Sequence, residues 1–470
     1  MLAAMGTVLH QAAMVGDVAR LRRLVELGAD VESQGEGVGR PLHYAATHGH
    51  AEAMRALVEL GADVEAPGRH GRTPLHYAAQ SGQTEAIRVL VVQLEADKEA
   101  EDCAGERPLH RAAFNGHSEA MRTLVALGAD VEAGCSTFDS WGTSPLHHAA
   151  SMGHTEVMQT LGALGADLDA RDASGMAPLH HATESGHLEA VQMLVALGAD
   201  VDVPDARGYR PLHWAAGGDV AMLMTLVALG ANKEAEAAHG GRPLHSAVLW
   251  GQEEAIVALL DLGVDVNAQD ANAMTPLHWA ATHGQEEAVY TLVAFLAAVE
   301  AQDARGYRPL HVAVASEASQ PGPAKTVSAL LRLGADVHAV TPHGDTPLHH
   351  ASFAEAVQLL LAAGAELNLR NAWGATPLFE SVRRGSSPSV RELVRAGAIP
   401  EADDTLWWTG MLVRAVQGHE EAVAALAHAA EELARRLAQN GHFARTALQL
   451  AELIHPHCSE LQLALMGAPT

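Results

Sequence analysis

The sequence predicts an all-α fold, an α-solenoid of stacked helix-turn-helix units joined by extended, β-hairpin-like connectors. Three observations predict it. A Pro-Leu-His motif recurs from Pro41, Pro74, Pro108, Pro145, Pro178, Pro211, Pro243, Pro276, Pro309 and Pro347, at steps of 33, 34, 37, 33, 33, 32, 33, 33 and 38 residues. Self-similarity at about 33 residues marks small units, each unable to bury its apolar face alone. Each period also carries two short apolar stretches at helical spacing, punctuated by glycine. Finally, apolar residues make up 48% of the chain and aromatics only 4%, as expected of cores filled by Ala, Leu and Val.

The elements of one period can be read at residues 71–100. Thr73 is placed as a side-chain N-cap and Pro74 at N1, where its missing N–H costs nothing, so a helix starts there. Leu75, Ala78 and Ala79 recur at helical spacing, and the small alanines let neighbouring helices approach. Gly82 ends this first helix. Glu85, Ala86, Ile87, Leu90 and Val91 then give a second amphipathic helix, antiparallel to the first because the linker is short. In most periods the second helix stops at Gly-Ala-Asp, as at Gly61 to Asp63 and Gly198 to Asp200, with glycine in the left-handed C′ position. An acidic Asp-Val-Glu-Ala stretch then turns into the next unit.

Weaker copies extend the pattern at both ends. Thr7 to Ala13 precedes the first full motif, Thr376-Pro377-Leu378-Phe379 follows the last, and degenerate copies begin near Gly410 and Thr446. Fourteen units result. Residues 1–400 form the repeat array, its first repeat an N-terminal cap, and 401–470 form degenerate capping repeats with a lengthened helix over residues 422–437. Four departures interrupt the pattern. Leu94 to Asp97 has an extra residue and no glycine, and Phe295 to Ala298 lacks both Gly and Asp. An insertion lengthens the turn at 134–142. Residues 316–323 expand one inter-helix bend, whereas Phe353 to Glu355 shortens another.

This pattern resembles the ankyrin repeat, whose Thr-Pro-Leu-His signature and 33-residue period it repeats in register over essentially the whole chain. In that family the slot histidine is a structural hydrogen-bonding residue tying helix to connector. The resemblance assigns that role to His10, His43, His76, His110, His147, His180, His213, His245, His278, His311 and His349. Where arginine replaces the threonine, at Arg40, Arg107, Arg210, Arg242 and Arg308, part of the local network is expected to be missing. Five further histidines, His50, His117, His154, His187 and His419, follow a helix-ending glycine.

The resemblance also implies a concave groove lined by connector tips and the exposed side of the first helix. Seven of the eighteen aromatics lie between Tyr209 and Tyr307. Of these, Tyr209, Trp214, Trp250, Trp279 and Tyr307 occupy groove columns, with Arg207 and Arg305 beside the two tyrosines, a composition typical of binding hot spots. The alternative for Trp214 and Trp279, as for Tyr44 and Tyr77, is space-filling between first helices. Further candidates are the inserted turn with Phe138 and Trp141, and the end units with Trp373, Trp407 and Trp408.

Other chemistries are disfavoured. A net charge of −27 opposes a phosphate-backbone partner, and its connector acids read either as a solvated rim or as an acidic docking strip. No apolar run of eighteen residues exists, so membrane insertion is not expected. The amino terminus lacks a basic n-region. The three scattered cysteines, Cys103, Cys135 and Cys458, fit a reducing compartment, the cytoplasm with the nucleus as alternative. No phosphate loop, Gly-x-Ser-x-Gly or His-Glu-x-x-His occurs. The doublets His147/His148, His180/His181 and His349/His350 lack a thiolate or carboxylate at ligand spacing. Only His455-Pro456-His457-Cys458 looks like zinc chemistry, without a second pair nearby. No metal or cofactor is expected.

The leading expectation is a monomeric, non-catalytic interaction scaffold or adaptor holding protein partners along the groove, centred on residues 207–309. One alternative is a regulatory or substrate-adaptor subunit, for example in ubiquitin-dependent degradation, or a hydroxylation substrate, because Asn267 and Asn368 are similar to connector asparagines hydroxylated in other ankyrin proteins. Another is a targeting fragment of a longer multidomain enzyme.

Overall fold

The structure, a computed structural model, describes residues 2–398 apart from 36, 38, 137–141 and 317–321. Among the described residues there are twenty-four α-helices and no strand. The chain divides into two compact segments, Met1–His239 and Gly240–Thr470. The boundary expected at residue 400 and the capping repeats expected beyond it lie outside the described residues.

Helices come in antiparallel pairs, one pair per repeat. The first segment opens with α1 (Leu2–Val15) and α2 (Val18–Glu26), then α3 (Pro41–Thr47) and α4 (Ala51–Glu59). Next come α5 (Pro74–Gln80) and α6 (Thr84–Arg88), the latter continued by a π turn over Val89–Gln93, and α7 (Pro108–Phe114) with α8 (Ser118–Ala126). It ends with α9 (Pro145–Ser151) and α10 (Thr155–Ala163), α11 (Pro178–Glu184) and α12 (Leu188–Leu197), and α13 (Pro211–Ala215) and α14 (Val220–Ala228). The second segment holds α15 (Pro243–Leu249) and α16 (Glu253–Asp261), then α17 (Pro276–Thr282) and α18 (Glu286–Ala294). It continues with α19 (Pro309–Ala315) and α20 (Gly322–Arg332), α21 (Pro347–His350) and α22 (Ala354–Ala362), and α23 (Pro377–Arg384) and α24 (Ser387–Arg395).

Proline sets where each first helix begins. The residue before it is forced into the extended region, as Thr73 is at φ −76° and ψ 166°, and the ring's fixed φ suits N1. Helix α5 then buries Leu75, His76, Ala78 and Ala79, while α6 buries Ala86 and Ile87. A fully buried leucine of this kind contributes about 1.5–3 kcal/mol. The same Leu-Ala-Ala face is buried at Leu42, Ala45 and Ala46, at Leu109, Ala112 and Ala113, and at Leu277, Ala280 and Ala281. Where the proline is missing the boundary moves: α1 runs back to Leu2, well before the Thr7 start that the motif predicts.

The threonine of the motif works differently from the expected N-cap. No side-chain cap bond forms at Thr73; its hydroxyl meets His76 Nδ1 at 2.9 Å instead. The buried imidazole at N3 competes with the backbone for that hydroxyl. At Thr376 the N3 residue is Phe379, which offers no ring nitrogen, and there the threonine oxygen does accept the Phe379 N–H at 3.3 Å.

Arginine in the threonine position removes the hydroxyl contact yet keeps the backbone one: the N–H groups of Arg40, Arg107, Arg210, Arg242 and Arg308 donate to their histidine Nδ1 at 3.1–3.3 Å. The guanidinium adds a contact of its own. Arg40 pairs with Glu32 at 2.7 Å, Arg107 with Glu99 at 2.8 Å, and Arg308 with Glu300 at 2.5 Å, each eight residues earlier in the connector.

Connector tips are hairpin-like without becoming strands. A backbone bond spans each of several tips, for example Gly68 N–H to Arg72 O at 2.8 Å, Asp102 N–H to Glu106 O at 3.0 Å and Asp205 N–H to Tyr209 O at 2.8 Å, with a tighter turn bond inside it, as from Gly105 N–H to Asp102 O at 2.9 Å. The two irregular connectors keep the glycine geometry without the glycine: Glu95 has φ 58° and Leu296 φ 69°. The extra residue before Glu95 is absorbed in the π turn, where Leu94 N–H reaches back to Val89 O at 3.0 Å. In the second segment the short bend at Phe353 cuts α21 to four residues, and Ser352 N–H bonds to Val314 O at 2.9 Å.

Leu296 is 83% exposed, so its strained backbone is not offset by packing. The left-handed region costs a non-glycine residue about 1–2 kcal/mol, and part of the relief is returned as unfolded-chain entropy. Leu296→Gly is therefore expected to stabilise the second segment by about 0.5–1 kcal/mol. A urea midpoint that falls rather than rises would contradict this account.

Candidate functional site

Within each segment, up to three kinds of hydrogen-bonded joint fix a repeat to its neighbour and so hold the connector tips. In the first joint the backbone N–H before proline donates to the Leu-His imidazole, as Thr73 does to His76 Nδ1 at 3.2 Å. Because Nδ1 accepts, Nε2 carries the proton, and it donates to Glu106 O of the next connector at 2.9 Å. Equivalent bonds run from His43 to Arg72 O, His110 to Thr143 O, His147 to Met176 O and His180 to Tyr209 O at 3.0–3.1 Å. In the second segment they run from His245 to Met274 O, His278 to Tyr307 O, His311 to Asp345 O and His349 to Ala375 O at 3.0–3.2 Å. Burial lowers His43, His76, His110, His147 and His311 to about 4 and lowers His180, His278 and His349 as well.

The second joint points backwards. His50, His117, His154 and His187 place Nε2 at 2.9–3.0 Å from Met14 O, Gln80 O, Phe114 O and Ser151 O of the preceding repeat. Glycine at the end of the preceding first helix makes room: a Cβ on Gly82, whose φ is 69°, would lie 2.8 Å from the His117 ring.

The third joint absorbs the connector acids. Glu32 accepts Asp63 N–H at 2.8 Å, Glu65 accepts Asp97 N–H at 2.7 Å, Glu99 accepts Asp130 N–H at 2.9 Å and Glu132 accepts Asp167 N–H at 2.7 Å. Asp169 and Asp202 continue the ladder to Asp200 N–H and Asn232 N–H at 3.0 and 3.1 Å. In the second segment Asn267 accepts Ala298 N–H at 2.7 Å, and Glu300 accepts Asp336 N–H at 2.9 Å. These acids are thus joints as well as a charged rim. The Asn267 amide is a rung of this ladder, whereas Asn368 is exposed after α22.

Against this frame the groove candidates separate. In the first segment Arg207 is exposed and Tyr209 half-buried; Asp205 shapes their tip, one carboxylate oxygen accepting both N–H groups at 2.8 Å. The Tyr209 ring packs 5.4 Å from His213 and 5.3 Å from His239. Trp214 is half-buried, and its indole N–H is buried without a hydrogen bond. In the second segment Trp250, the C-cap of α15, is 62% exposed. Trp279 packs edge-on against His245 at 5.6 Å and donates its indole N–H to Asp270 at 3.1 Å, so it fills the interval between α15 and α17. Arg305 is exposed, and Tyr307 is half-buried with its ring 4.9 Å from His350. Trp373 is 57% exposed and stacks on His343 at 4.7 Å. Trp141, Phe138, Trp407 and Trp408 lie outside the described residues, as do His419 and the His455 to Cys458 stretch.

The histidine doublets require a correction. Sequence spacing left them without ligand-type neighbours, yet folding supplies some from the connectors. His148 Nε2 lies 3.7 Å from Cys135 Sγ, thirteen residues away, His181 Nε2 lies 2.9 Å from Asp172, and His350 Nε2 lies 3.5 Å from Asp345. Burial pushes the Cys135 thiol up to about 11 and His148 down to about 3. Burial raises Asp172 too, but hydrogen bonds from His181, Ser174 and the Met176 N–H outweigh it and hold the carboxyl below its usual range. Local spacing could not show these pairs because each bridges a connector tip and the following first helix.

Comparison with known proteins points the same way as the repeat geometry. A family model described as ankyrin repeats in three copies matches residues 68–135, 109–205, 197–270, 244–341, 316–404 and 348–436. A second, described as ankyrin repeats in many copies, matches 9–58 and 42–91. Among similar curated proteins, Protein PhlB of Serratia liquefaciens is 42% identical over 85 residues, 17% of this chain and 37% of that protein. Ankyrin repeat domain-containing protein 63 of Mus musculus is 36% identical over 95 residues, 20% of this chain and 24% of that one. The chain thus spans between about a quarter and just over a third of these relatives. Among solved structures, the human ASB11 ankyrin repeat domain is 28% identical, covering 48% of this chain and 98% of that domain at a TM-score of 0.42. No helix among the described residues is long and apolar enough to cross a membrane.

Proposed function

Because the chain belongs to the ankyrin repeat family, we propose that it is a non-catalytic scaffold that holds partner proteins on side chains its repeat joints fix in place. The observation that carries this reading is Trp250. The indole stands 62% exposed at a position where most other repeats carry polar residues such as His48, Ser81, Asn115 and Ser185, and one carries the exposed Met152. A large aromatic held outside the core, on a helix end fixed by its own backbone bond to Ser246 O at 3.0 Å, has the character of a binding anchor. The Arg305–Tyr307 tip in the same segment is the accompanying contact, and the Arg207–Tyr209 tip is a separate candidate on the first segment. Preordered tips lower the ordering cost of association. Trp279 is committed to packing on His245 and to Asp270.

The test is affinity capture from lysate with the unmodified chain, Trp250→Ala and Trp373→Ala in parallel, followed by affinity measurement on the proteins identified. Trp250→Ala is expected to weaken a partner about 30-fold or more, the effect of losing an anchor worth roughly 2 kcal/mol, while leaving helical content unchanged. Trp373→Ala serves as the comparison, an exposed tryptophan elsewhere in the segment. Partner lists and affinities unaffected by Trp250→Ala would sink the proposal.

A further inference from the structure

Between Arg242 and Arg305 the chain runs 62 residues without a lysine or arginine, the longest such stretch in the sequence, and carries nine carboxylates there. This stretch spans α15 to α18 and their connectors. It also holds four of the six large apolar side chains that stand exposed in the described part of the second segment, namely Trp250, Val257, Phe295 and Leu296.

Helices α16 and α18 pack side by side in adjacent repeats. Ala255, Ile256, Leu259 and Leu260 of α16 are buried, as are Ala288, Val289 and Leu292 of α18. Glu254, Val257 and Asp261 of α16 face solvent, and so do Glu287 and Ala294 of α18, with Tyr290 half-buried between them. Both sets fall at the i, i+3, i+7 spacing of one helical face. Trp250 stands just before α16 begins and Leu296 just past the end of α18. Apolar side chains therefore mark both ends of a face as long as a nine-residue helix, about 13 Å.

Two features set this face apart from ordinary solvated surface. The first is unpaired charge. In α4 and α8 of the first segment, Glu52 and Glu119 pair with Arg55 and Arg122 three residues on, at 2.7 and 3.2 Å. At the matching positions of α16 and α18 the third residue on is Val257 or Tyr290. Glu253 is engaged by Thr291 and Glu286 by Lys325 at 3.9 Å, but the carboxylates of Glu254, Asp261 and Glu287 have no partner among the described residues. The helix dipole favours Glu254 and Glu287 in their first turns, yet it disfavours Asp261 at the last residue of α16. The second feature is strain. The repeats on either side end their second helices on glycine, with φ 74° at Gly263 and 90° at Gly334, whereas Leu296 takes this conformation at φ 69° with its side chain in solvent. A strained backbone holding an exposed apolar side chain is explained when that side chain meets something outside the chain.

We infer that this face of α16 and α18 docks a basic segment of a partner protein, in which lysine or arginine flanks apolar side chains. Trp250 and Leu296 are its apolar anchors, and Glu254, Asp261 and Glu287 its charge complement. The inference rests on the scaffold reading given above and adds the chemistry of what is held. Charge decides among the occupants. A second copy docked through the same face would set carboxylates against carboxylates, and an anionic lipid surface would meet the same repulsion. A purely apolar partner would desolvate three carboxylates without supplying a counter-charge.

The test pans the full chain, at physiological salt, against a phage-displayed library of random linear peptides. Recovered peptides are then measured by fluorescence anisotropy on the parent and its variants. They should be rich in lysine or arginine together with leucine, isoleucine or phenylalanine. Glu254→Lys combined with Glu287→Lys should weaken them at least tenfold. Glu52→Lys combined with Glu119→Lys makes the same change of net charge elsewhere and should alter affinity by no more than about twofold. Leu296→Gly should weaken binding about threefold or more while the urea midpoint rises, a combination that damage to the fold cannot mimic. Equal losses from the two charge reversals would reveal only long-range attraction to an acidic chain and overturn the site. Recovery of neutral or acidic peptides, or of none, would overturn it as well, and so would self-association of the parent that Leu296→Gly abolishes. Neutral peptides lost on Trp250→Ala would end the basic chemistry and leave Trp250 as an anchor. Basic peptides lost on reversal of Glu254 and Glu287 but indifferent to Trp250→Ala would support the face and remove Trp250 from it.

Discussion

Lowering the pH from 7 to 5 is expected to cost the first segment on the order of 10 kcal/mol and to abolish its helical signal. Five imidazoles carry this effect: His43, His76, His110 and His147, lowered by burial to about 4, and His148, lowered to about 3. In the unfolded chain each titrates near the ordinary value of about 6.5. The folded state holds them neutral, so their contribution is whole above about pH 6.5 and is lost as the pH falls towards 4. At pH 5 each costs about 2 kcal/mol, and five together match the whole stability of an ordinary domain. Carboxylates such as Asp172, whose folded value is lowered, lose their contribution only below about pH 4 and fall outside this window. Urea titrations followed by ellipticity at pH 7, 6 and 5 check the prediction. Equal midpoints across that range would show that the buried histidines are not held neutral.

Replacing one forward-tying histidine should be damaging at neutral pH too, by a smaller amount. His278→Ala strands the Thr275 N–H and hydroxyl, 3.1 and 2.9 Å from Nδ1, and Tyr307 O, 3.0 Å from Nε2, and leaves a cavity at a fully buried site. The expected loss is about 3–4 kcal/mol. His311→Ala should cost about 1 kcal/mol less, because Arg308 supplies only its N–H, at 3.3 Å, and no hydroxyl. Denaturant unfolding of the two variants gives the comparison, and an equal or larger loss at His311 would refute the role assigned to the hydroxyl. Since His278 holds the carbonyl of Tyr307, its loss should also loosen the tip proposed to meet a partner.

What the sequence made legible was whatever recurs. Pro-Leu-His at a fixed step announced the helix pairs, and glycine after the second helix announced its left-handed end, as at Gly198 with φ 110°. Less visible were substitutions that keep a geometry while changing its chemistry, such as Leu296 in a glycine conformation or Arg308 exchanging a hydroxyl contact for Glu300. The connector acids looked like solvated charge because their partners are backbone N–H groups about 31 residues away, which carry no signature in a side-chain alphabet. Cys135 and His148 stayed hidden because only a hairpin stem next to an insertion brings positions thirteen apart together. Among the aromatics, sequence put Trp250 and Trp279 both in groove columns and left space-filling open for Trp279, and folding gives Trp279 both Asp270 and His245 as neighbours.

The three joints also bear on how such a chain changes over generations. The forward joints ask the following repeat for a carbonyl at the end of its connector and a backbone N–H at its start, and the backward histidine, where present, asks the preceding repeat for a carbonyl and room above a glycine. Glu65 makes the same bond to Asp97 N–H that Glu99 makes to Asp130 N–H. Cutting the gene at matching points of two repeats and rejoining it would therefore recreate a junction already present. Duplication or loss of a whole period is the mutation this architecture tolerates best, whereas a deletion of a few residues inside a connector disturbs every joint it touches.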